Sequence, residues 1–372
     1  MSKKLGLIVN PIAGIGGRAG LKGSNGPGTV NLALGLGSTP AAPRRAVEAL
    51  RRVALIKQEV NLITCPLDMG EEECAQCSLD VSVVGSVRRG HTTAEDTKGF
   101  AREMLRLQVD LLLVAGGDGT ARDIYEAIGD KLTVLGIPAG VKIHSGIYAT
   151  NPSRAGDLAV MFLRGNAQVQ EAEVMDVDED AFRHDKVSAR LLGYLRVPYE
   201  QTMVQGPKVG SSSGEESSAK EIALELLDST EDDCMYIVGP GTTTRPILEE
   251  LGLHKTLLGV DVVCNRQLIA SDVNAFELLK LTSGRRAKII VTVIGGQGFI
   301  FGRGSQQISP EVIERVGREN LIVVATPNKL ASLMGRPLLV DTGELKTDQM
   351  LSGYMRVTTG YRRSTICLVK AG

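Results

Sequence analysis

Short apolar runs alternate with amphipathic segments along the first 140 residues of the chain. The apolar runs have the length and composition of buried strands, and the amphipathic segments have the periodicity of helices. Strands that alternate with helices predict a parallel, doubly wound α/β sheet, whose ligands bind beyond the carboxyl ends of the strands. The predicted strands are 4–9, 58–64, 81–85, 110–115 and 133–137, and the predicted helices are 44–53, 92–107 and 123–128.

Two local signals refine this pattern. Glycine, serine, asparagine and proline crowd residues 14–43, which predicts a long loop with room for one helical turn. Loops of this length in compact domains are usually functional or mobile. Thr92 and Glu95 match a capping box, in which a threonine hydroxyl accepts from the helix backbone and a glutamate reaches back. We therefore expect a helix to begin at that box.

The pattern changes near residue 168, where strand-like segments joined by short polar turns begin. The sequence therefore predicts an N-terminal α/β nucleotide-binding domain at 1–168 and a β-rich mixed α/β domain at 169–372. The last strand-like stretch, 364–369, could return to the first domain. Strands of the second domain are predicted at 170–177, 181–184, 187–197, 235–238, 257–263, 289–294 and 321–325, with a flexible loop at 206–218.

Composition narrows the classes of partner. A length of 372 residues suits two domains, since domains usually hold about 100–200 residues. The formal net charge of −1 leaves no broad basic surface, so we expect no nucleic-acid partner. No apolar run reaches the ~18 residues of a membrane helix, so we expect no membrane insertion. The six scattered cysteines favour reduced thiols in the cytoplasm.

The turn Gly116-Gly117-Asp118-Gly119-Thr120 directly follows the predicted strand 110–115. Its glycines let backbone N–H groups face an anion without obstruction by a Cβ atom, and phosphate is the natural ligand. A carboxylate beside phosphates is costly unless it holds a divalent cation or accepts a proton during phosphoryl transfer. We therefore predict that Asp118 is catalytic and that the rest of the turn binds nucleotide. A plain tight turn is the alternative, because Asp-Gly pairs are common in turns. The predicted nucleotide-binding residues of this turn are Gly116, Gly117, Gly119 and Thr120.

A second glycine-containing turn follows the first predicted strand. In a parallel sheet this turn and the first one emerge on the same side, so both are expected to bind nucleotide. Asp123 is assigned to the same site, with a structural pairing with Arg122 as the alternative. The predicted residues of the second turn are Asn10, Gly14, Gly16 and Gly17.

Two further segments are expected to bind substrate. After the strand 133–137, Lys142 could neutralise phosphate and His144 could bond a ribose or a carboxylate. The alternative is a surface lysine and an incidental histidine. In the second domain a turn rich in glycine and threonine offers backbone donors, hydroxyls and a guanidinium, although a simple helix cap is the alternative. The substrate-binding residues predicted there are Gly241, Thr242, Thr243 and Arg245.

Three of these motifs together resemble the superfamily of NAD kinases, diacylglycerol kinases and sphingosine kinases. The motifs are Asn10-Pro11-Ile12-Ala13-Gly14, the turn 116–120, and Gly136-Ile137-Pro138-Ala139-Gly140, in the expected order. The chain looks most like a divergent branch of ATP- or polyphosphate-dependent NAD kinases, some of them associated with acetoin catabolism. The resemblance implies ATP or polyphosphate as donor, Mg²⁺, and Asp118 assisting attack by the ribose 2′-hydroxyl of NAD. It also implies a homo-oligomer.

Departures from the superfamily pattern leave the phosphoryl acceptor open. Lipid kinases carry an Asn-Asp pair soon after the third motif, whereas this chain continues Val141-Lys142-Ile143-His144. The Asn-Glu or Asn-Asp pair with which ordinary NAD kinases hold the dinucleotide is not recognisable either. The alternatives are therefore a lipid or polyol kinase of the same superfamily, or a dinucleotide-binding protein without catalysis. No metal ligand is assigned.

Overall fold

The computed structural model describes residues 2–21, 27–141, 143–177, 189–200, 203–204 and 215–371. The chain divides into two compact units. The first consists of Met1–Gly16, Gly23–Ala181 and Val187–Gly206, and the second of Gly17–Lys22, Phe182–Lys186 and Pro207–Gly372. The described residues contain no helix that is both long and apolar enough to cross a membrane.

Five of the described strands of the first unit form a parallel sheet in the order β3-β2-β1-β4-β5. Its centre is almost wholly aliphatic, and every residue of β4 is buried, because helices cover both faces. The elements are β1 Lys3–Val9, α1 Pro27–Gly35, α2 Ala42–Val53, β2 Val60–Thr64, α3 Glu71–Gln76, β3 Val81–Val83, α4 Ala94–Arg106, β4 Leu111–Gly116, α5 Asp118–Ile128, β5 Val134–Pro138, α6 Pro152–Leu163, β6 Gln168–Val177 and β7 Ala189–Tyr199.

The strands β6 and β7 form an antiparallel pair that belongs to the first compact unit. The predicted domain boundary at 168/169 would instead assign this pair to the second domain. The β6–β7 pair belongs to the first unit because β6 packs against α5 and β7 contacts β5. Another strand predicted for the second domain, at 181–184, lies outside the described residues.

The described strands of the second unit form a larger mixed sheet in the order β10-β9-β8-β11-β13-β15-β16-β14-β12. Within it β8, β11, β13 and β15 are parallel neighbours, whereas β16 runs antiparallel to β15. The elements are α7 Glu215–Asp228, β8 Met235–Val238, α8 Arg245–Glu249, β9 Asp261–Cys264, β10 Gln267–Ala270, α9 Ala275–Leu281, β11 Ala287–Thr292, β12 Phe299–Phe301, α10 Pro310–Val316, β13 Leu321–Val324, α11 Pro327–Ala331, β14 Leu338–Val340, α12 Leu345–Leu351, β15 Gly353–Gly360 and β16 Arg363–Ala371.

The predicted fold class, a parallel N-terminal α/β sheet followed by a mixed α/β domain, is confirmed. The last predicted strand corresponds to β16, which pairs with β14 and β15 of the second sheet. Three predictions about loops and the helix cap are wrong. Residues 27–35 of the predicted long loop are helical, and residues 215–218 of the predicted flexible loop begin α7. The capping box uses Thr93 and Asp96, one residue later than predicted, because these side chains face the first turn of α4.

Candidate active site

The loops that follow β1, β4 and β5 meet at one edge of the first sheet. The three strands are parallel neighbours, so their carboxyl ends lie side by side. Strand order also reverses here, since the chain continues from β1 toward β2 and β3 on one side and from β4 toward β5 on the other. Ligands of open α/β sheets bind at such a switch point.

Hydrogen bonds tie the three loops together. The Asn10 side-chain amide donates to Thr120 Oγ1 at 2.9 Å, which links the loop after β1 to the first turn of α5. The backbone N–H groups of Ala139 and Gly140 donate to the carbonyl of Gly116 at 2.8 and 3.0 Å. The three motifs singled out in the sequence are therefore one structural cluster.

Close backbone approach explains the glycines of this cluster. A Cβ atom on Gly116 would lie 2.4 Å from Thr120 Oγ1, and one on Gly117 would lie 2.9 Å from Gly140 Cα. Gly14 has φ +82°, and its Cβ would lie 2.2 Å from the Ala139 carbonyl oxygen. Larger residues would force the loops apart, so the glycines allow the three loops to pack main chain against main chain in what is here called the glycine cradle.

We expect the variant Gly14→Ala to lower the free energy of unfolding by about 2–4 kcal/mol, because it combines an unfavourable φ with a steric clash. Chemical denaturation of purified protein measures the effect. Gly99→Ala is the matched control: Gly99 lies inside α4 with nothing within 4 Å of an added Cβ. That change should stabilise the protein by up to about 1 kcal/mol. Equal effects of the two variants would show that the cradle does not require glycine.

Asp118 is the first residue of α5, and Gly117 is its N-cap. The prediction that this helix begins at Asp123 is therefore wrong, since the turn 118–120 is already helical. The buried Asp118 carboxylate accepts hydrogen bonds from the backbone N–H groups of His144 (2.8 Å) and Ser145 (2.9 Å). The Nδ1 atom of His144 lies 3.3 Å from Asp118 Oδ2. Both oxygens of the carboxylate are thus oriented by the loop after β5.

Tyr148 holds the turn 116–120 through a hydrogen bond, and no sequence pattern identified this residue. Its ring is fully buried against Gly136, where a Cβ atom would come within 2.3 Å of the ring. Its hydroxyl donates to the Gly117 carbonyl at 2.6 Å. Burial, and then the charges of Asp118 and Asp123, raise the pKa of Tyr148 well above its usual value. The phenol therefore stays neutral and remains a donor to the turn.

Asp123 lies on α5 one turn beyond the nucleotide turn and is buried. Burial raises the pKa of its carboxyl, and the neighbouring Arg122 opposes that rise. Arg122 lies 3.4 Å from Asp123 and 3.3 Å from Asp176 on β6. Asp123 therefore pairs with Arg122, which is the structural alternative given for this residue. The binding of nucleotide by Asp123 stays a prediction.

The remaining predicted residues are distributed over both units. Gly119 is partly exposed beside Asp118, and Gly16 is buried in the first unit, whereas Gly17 begins a segment of the second unit. Lys142 lies outside the described residues. The predicted substrate turn follows β8 in the second unit: Thr243 is buried there, whereas Thr242 is exposed. Arg245 is exposed and pairs with Glu249 at 3.0 Å.

Family models match both halves of the chain. The model of the ATP-NAD kinase N-terminal domain matches residues 5–167, and that of the ATP-NAD kinase C-terminal domain matches residues 231–369. Together they span well over half of the sequence. The chain belongs to the ATP-NAD kinase family. The N-terminal match contains all three loops of the cradle.

Known proteins add little beyond this ATP-NAD kinase assignment. No curated protein matches the chain significantly. A diacylglycerol kinase from Bacillus anthracis str. Sterne is similar at 18% identity with a TM-score of 0.25, over 48% of this chain and 47% of that one. The chain therefore spans about half the length of that relative. A UDP-N-acetylglucosamine 2-epimerase is similar at 9% identity with a TM-score of 0.27, over 96% of this chain and 78% of the epimerase. TM-scores this low support no statement about fold or function.

Proposed function

We propose that this ATP-NAD kinase family member transfers a phosphoryl group from ATP or polyphosphate to the ribose 2′-hydroxyl of NAD or a related nucleotide. One observation carries the proposal: the Asp118 carboxylate is held by two backbone amides at the first residue of α5, within the glycine cradle at the switch point of the sheet. A fixed acidic group at a helix N-terminus, which attracts anions, suits phosphoryl transfer to an alcohol.

The cradle supplies binding groups for phosphate. The first N–H groups of a helix have no acceptor within the helix, and the N-terminal end of the helix dipole attracts anions. In α5 these amides belong to the turn 118–120, and Gly117 and Gly119 are only partly buried. Donor phosphates could therefore approach these main-chain N–H groups at the start of α5.

Mg²⁺ is compatible with this arrangement. Among the described residues, no three or more His, Cys, Asp and Glu side chains are grouped so as to hold a metal ion. Mg²⁺ is usually bound by one or two carboxylates together with substrate phosphates, and Asp118 is the carboxylate at the three loops. When bound, the cation would neutralise charge on the transferred phosphoryl group.

Asp118 is oriented to receive the proton of the acceptor hydroxyl. A carboxylate offers about four acceptor positions, and the two amides and the His144 ring use at most three. In the reaction the hydroxyl oxygen forms a bond to phosphorus and the bond from phosphorus to the donor's leaving oxygen breaks. The hydroxyl proton passes to Asp118, or to His144 with Asp118 holding its ring. In either case Asp118 is indispensable.

The proposal is tested by incubating the protein with ATP or polyphosphate, Mg²⁺, and separate acceptors: NAD, NADH, nucleosides, polyols and diacylglycerol. Formation of NADP, measured by an NADP-specific dehydrogenase, is the expected result. Phosphorylation of a lipid or polyol alone would show that this compound, and not NAD, is the acceptor. If NAD raises the melting temperature but no donor and acceptor pair reacts, the protein binds the dinucleotide without catalysis.

Several finer assignments stay predictions beside this proposal. They are the substrate contacts of Lys142, His144, Gly241, Thr242, Thr243 and Arg245, the nucleotide contacts of Asn10, Gly14, Gly16 and Gly17, the homo-oligomer and the cytoplasmic location.

A further inference from the structure

A cavity lies at the amino ends of three parallel strands in the second unit. The strands β8, β11 and β13 are adjacent and parallel, so their amino ends lie at one edge of the second sheet. The cavity has a volume of about 330 Å³ and is lined by residues at these strand starts and at the end of α10. Small-molecule sites usually measure roughly 300–1,000 Å³, so this one suits a small ligand.

Basic side chains dominate the lining of this cavity, which contains four cationic residues and one acidic residue. Arg286 immediately precedes β11 and Lys288 lies two positions later, so their side chains leave the strand on the same face. The turn that ends α9 contributes Arg285, and the last turn of α10 contributes Arg315. These four cationic residues are here called the basic cluster.

Neighbouring carboxylates do not balance the charge of the basic cluster. Glu231 forms ion pairs with both Arg286 and Lys288, so one negative charge serves two positive charges. Glu319 is the acidic residue of the lining, and it forms no ion pair with any of the described residues. The positive charge of the cavity therefore exceeds the negative charge.

The other two members of the basic cluster lack a carboxylate partner in the described part of the chain. The Arg315 guanidinium donates to the Leu279 carbonyl at 2.5 Å and lies 3.5 Å from the Thr282 hydroxyl, and both of these groups are neutral. Arg285 is exposed, and no described residue accepts a hydrogen bond from its guanidinium. Its N–H donors are therefore available to a ligand.

Cys234 offers a different explanation of the basic cluster, because cations beside a thiol can stabilise the reactive thiolate. Cys234 lines the cavity and is buried. Burial, followed by the charge of Glu231, raises the pKa of the thiol, and Lys288 and Arg286 only oppose this rise. The thiol is therefore neutral at pH 7 and does not compensate the positive charge. An anionic ligand explains the cluster better than an activated cysteine.

We propose that the basic cluster binds the phosphate groups of a small polyanion, either a short polyphosphate or a nucleotide. Guanidinium groups present paired N–H donors that match the oxygens of phosphate, and such charge-assisted hydrogen bonds are stronger than neutral ones. A ligand with several negative charges also supplies the charge that Glu231 and Glu319 do not. All lining residues belong to the second unit, and the proposal does not depend on phosphotransfer at Asp118.

Site-resolved arginine labelling of the full chain tests the proposal. Arginines are modified with phenylglyoxal in the presence and absence of tripolyphosphate or ATP, and the modified peptides are quantified by mass spectrometry. At least one of the two compounds should slow modification of Arg285 and Arg315 several-fold. Arg102 of α4 should be unaffected, because it is exposed and does not line the cavity. Protection by only one compound would identify the source of the phosphate. Equal modification of Arg285 under all conditions, or equal protection of Arg102, would overturn the proposal.

Variants with matched changes of net charge separate this site from general electrostatic attraction. Arg285→Gln should raise the concentration of the protecting compound that half-protects Arg315 by about threefold or more, whereas Arg102→Gln should leave it unchanged. Glu319→Gln should lower this concentration, because it removes the acidic residue of the lining.

A variant of the cradle separates the two proposals. Protection of Arg315 should persist in Asp118→Asn. Loss of protection in Asp118→Asn, or an unchanged half-protecting concentration in Arg285→Gln, would contradict the assignment to the basic cluster. Protection of Arg315 in a protein that shows no phosphotransfer would support this site and refute the proposed reaction alone.

Discussion

The variant Asp118→Asn is expected to fold and to lose about 100-fold or more of the phosphotransfer rate, because an amide cannot accept the substrate proton. Its side-chain oxygen still accepts from one of the two amides of His144 and Ser145. The NH₂ group faces the other amide as a second donor, which should cost about 1–3 kcal/mol of stability. The rate of NADP formation and the melting temperature measure the two effects separately.

Variants of Ser145 and His144, whose backbone amides hold Asp118, help to interpret this result. Ser145→Ala retains the amide that holds Asp118 but removes the hydroxyl that accepts from the Met175 N–H at 3.0 Å, so it loosens the loop alone. Its rate should stay within a few-fold of wild type. His144→Ala should cost about tenfold if the imidazole only positions the carboxylate. A loss as large as that of Asp118→Asn would make His144 the proton acceptor, and an active Asp118→Asn would remove Asp118 from the chemistry.

The convergence of the cradle loops could be predicted because parallel strands impose it. Buried aliphatic runs such as β4 identify the central strands, and loops after adjacent parallel strands must share an edge. The start of α5 could not be predicted in the same way. Gly117 and Gly119 have poor helix propensity, which indicates a turn, whereas the first turn of a helix tolerates such residues at low cost. The Asp118 side chain was therefore assigned to the correct edge but to the wrong local structure.

The individual contacts of the site depend on backbone directions that no sequence pattern reports. The amides of His144 and Ser145 face Asp118 only because of the path of the loop after β5, and they are separated from Asp118 by 26 and 27 positions. Lys329 and Thr243 are 86 positions apart, and their contact depends on the order of strands in the second sheet. Sequence could identify the glycine-rich turn after β8, but not the lysine that contacts it.

A fully buried ion pair in the second unit leads to the other large expected effect. Lys255 Nζ lies 2.9 Å from Asp261 Oδ2, and neither side chain has any exposed surface. The carboxylate also accepts from the backbone N–H and hydroxyl of Thr256, from the Ser271 hydroxyl and from the Asp272 N–H. Burial would raise the pKa of Asp261, but Lys255 and these hydrogen bonds outweigh it and lower the pKa below the usual value of 3.8.

Removing the Lys255 ammonium alone should therefore leave the buried Asp261 carboxylate without its counter-charge. We expect Lys255→Met to lower the free energy of unfolding by about 3–5 kcal/mol at pH 7, measured by chemical denaturation. The double variant Lys255→Met with Asp261→Asn removes both charges and should cost clearly less than the sum of the two single variants. Lys346→Met, on an exposed lysine, should cost less than about 0.5 kcal/mol.

The pH dependence of Lys255→Met distinguishes a stranded charge from lost packing. In wild type the lowered pKa of Asp261 contributes stability above pH 3.8, which is lost as pH falls through the folded-state pKa. Without Lys255, burial becomes the dominant influence and should raise the pKa of Asp261. Protonation of Asp261 then stabilises the folded variant at low pH, and this stabilisation disappears as pH rises through the folded-state pKa. The penalty of Lys255→Met should therefore be largest at neutral pH and shrink as pH falls toward 3.8; a penalty independent of pH would mean that the pair contributes by packing rather than by charge.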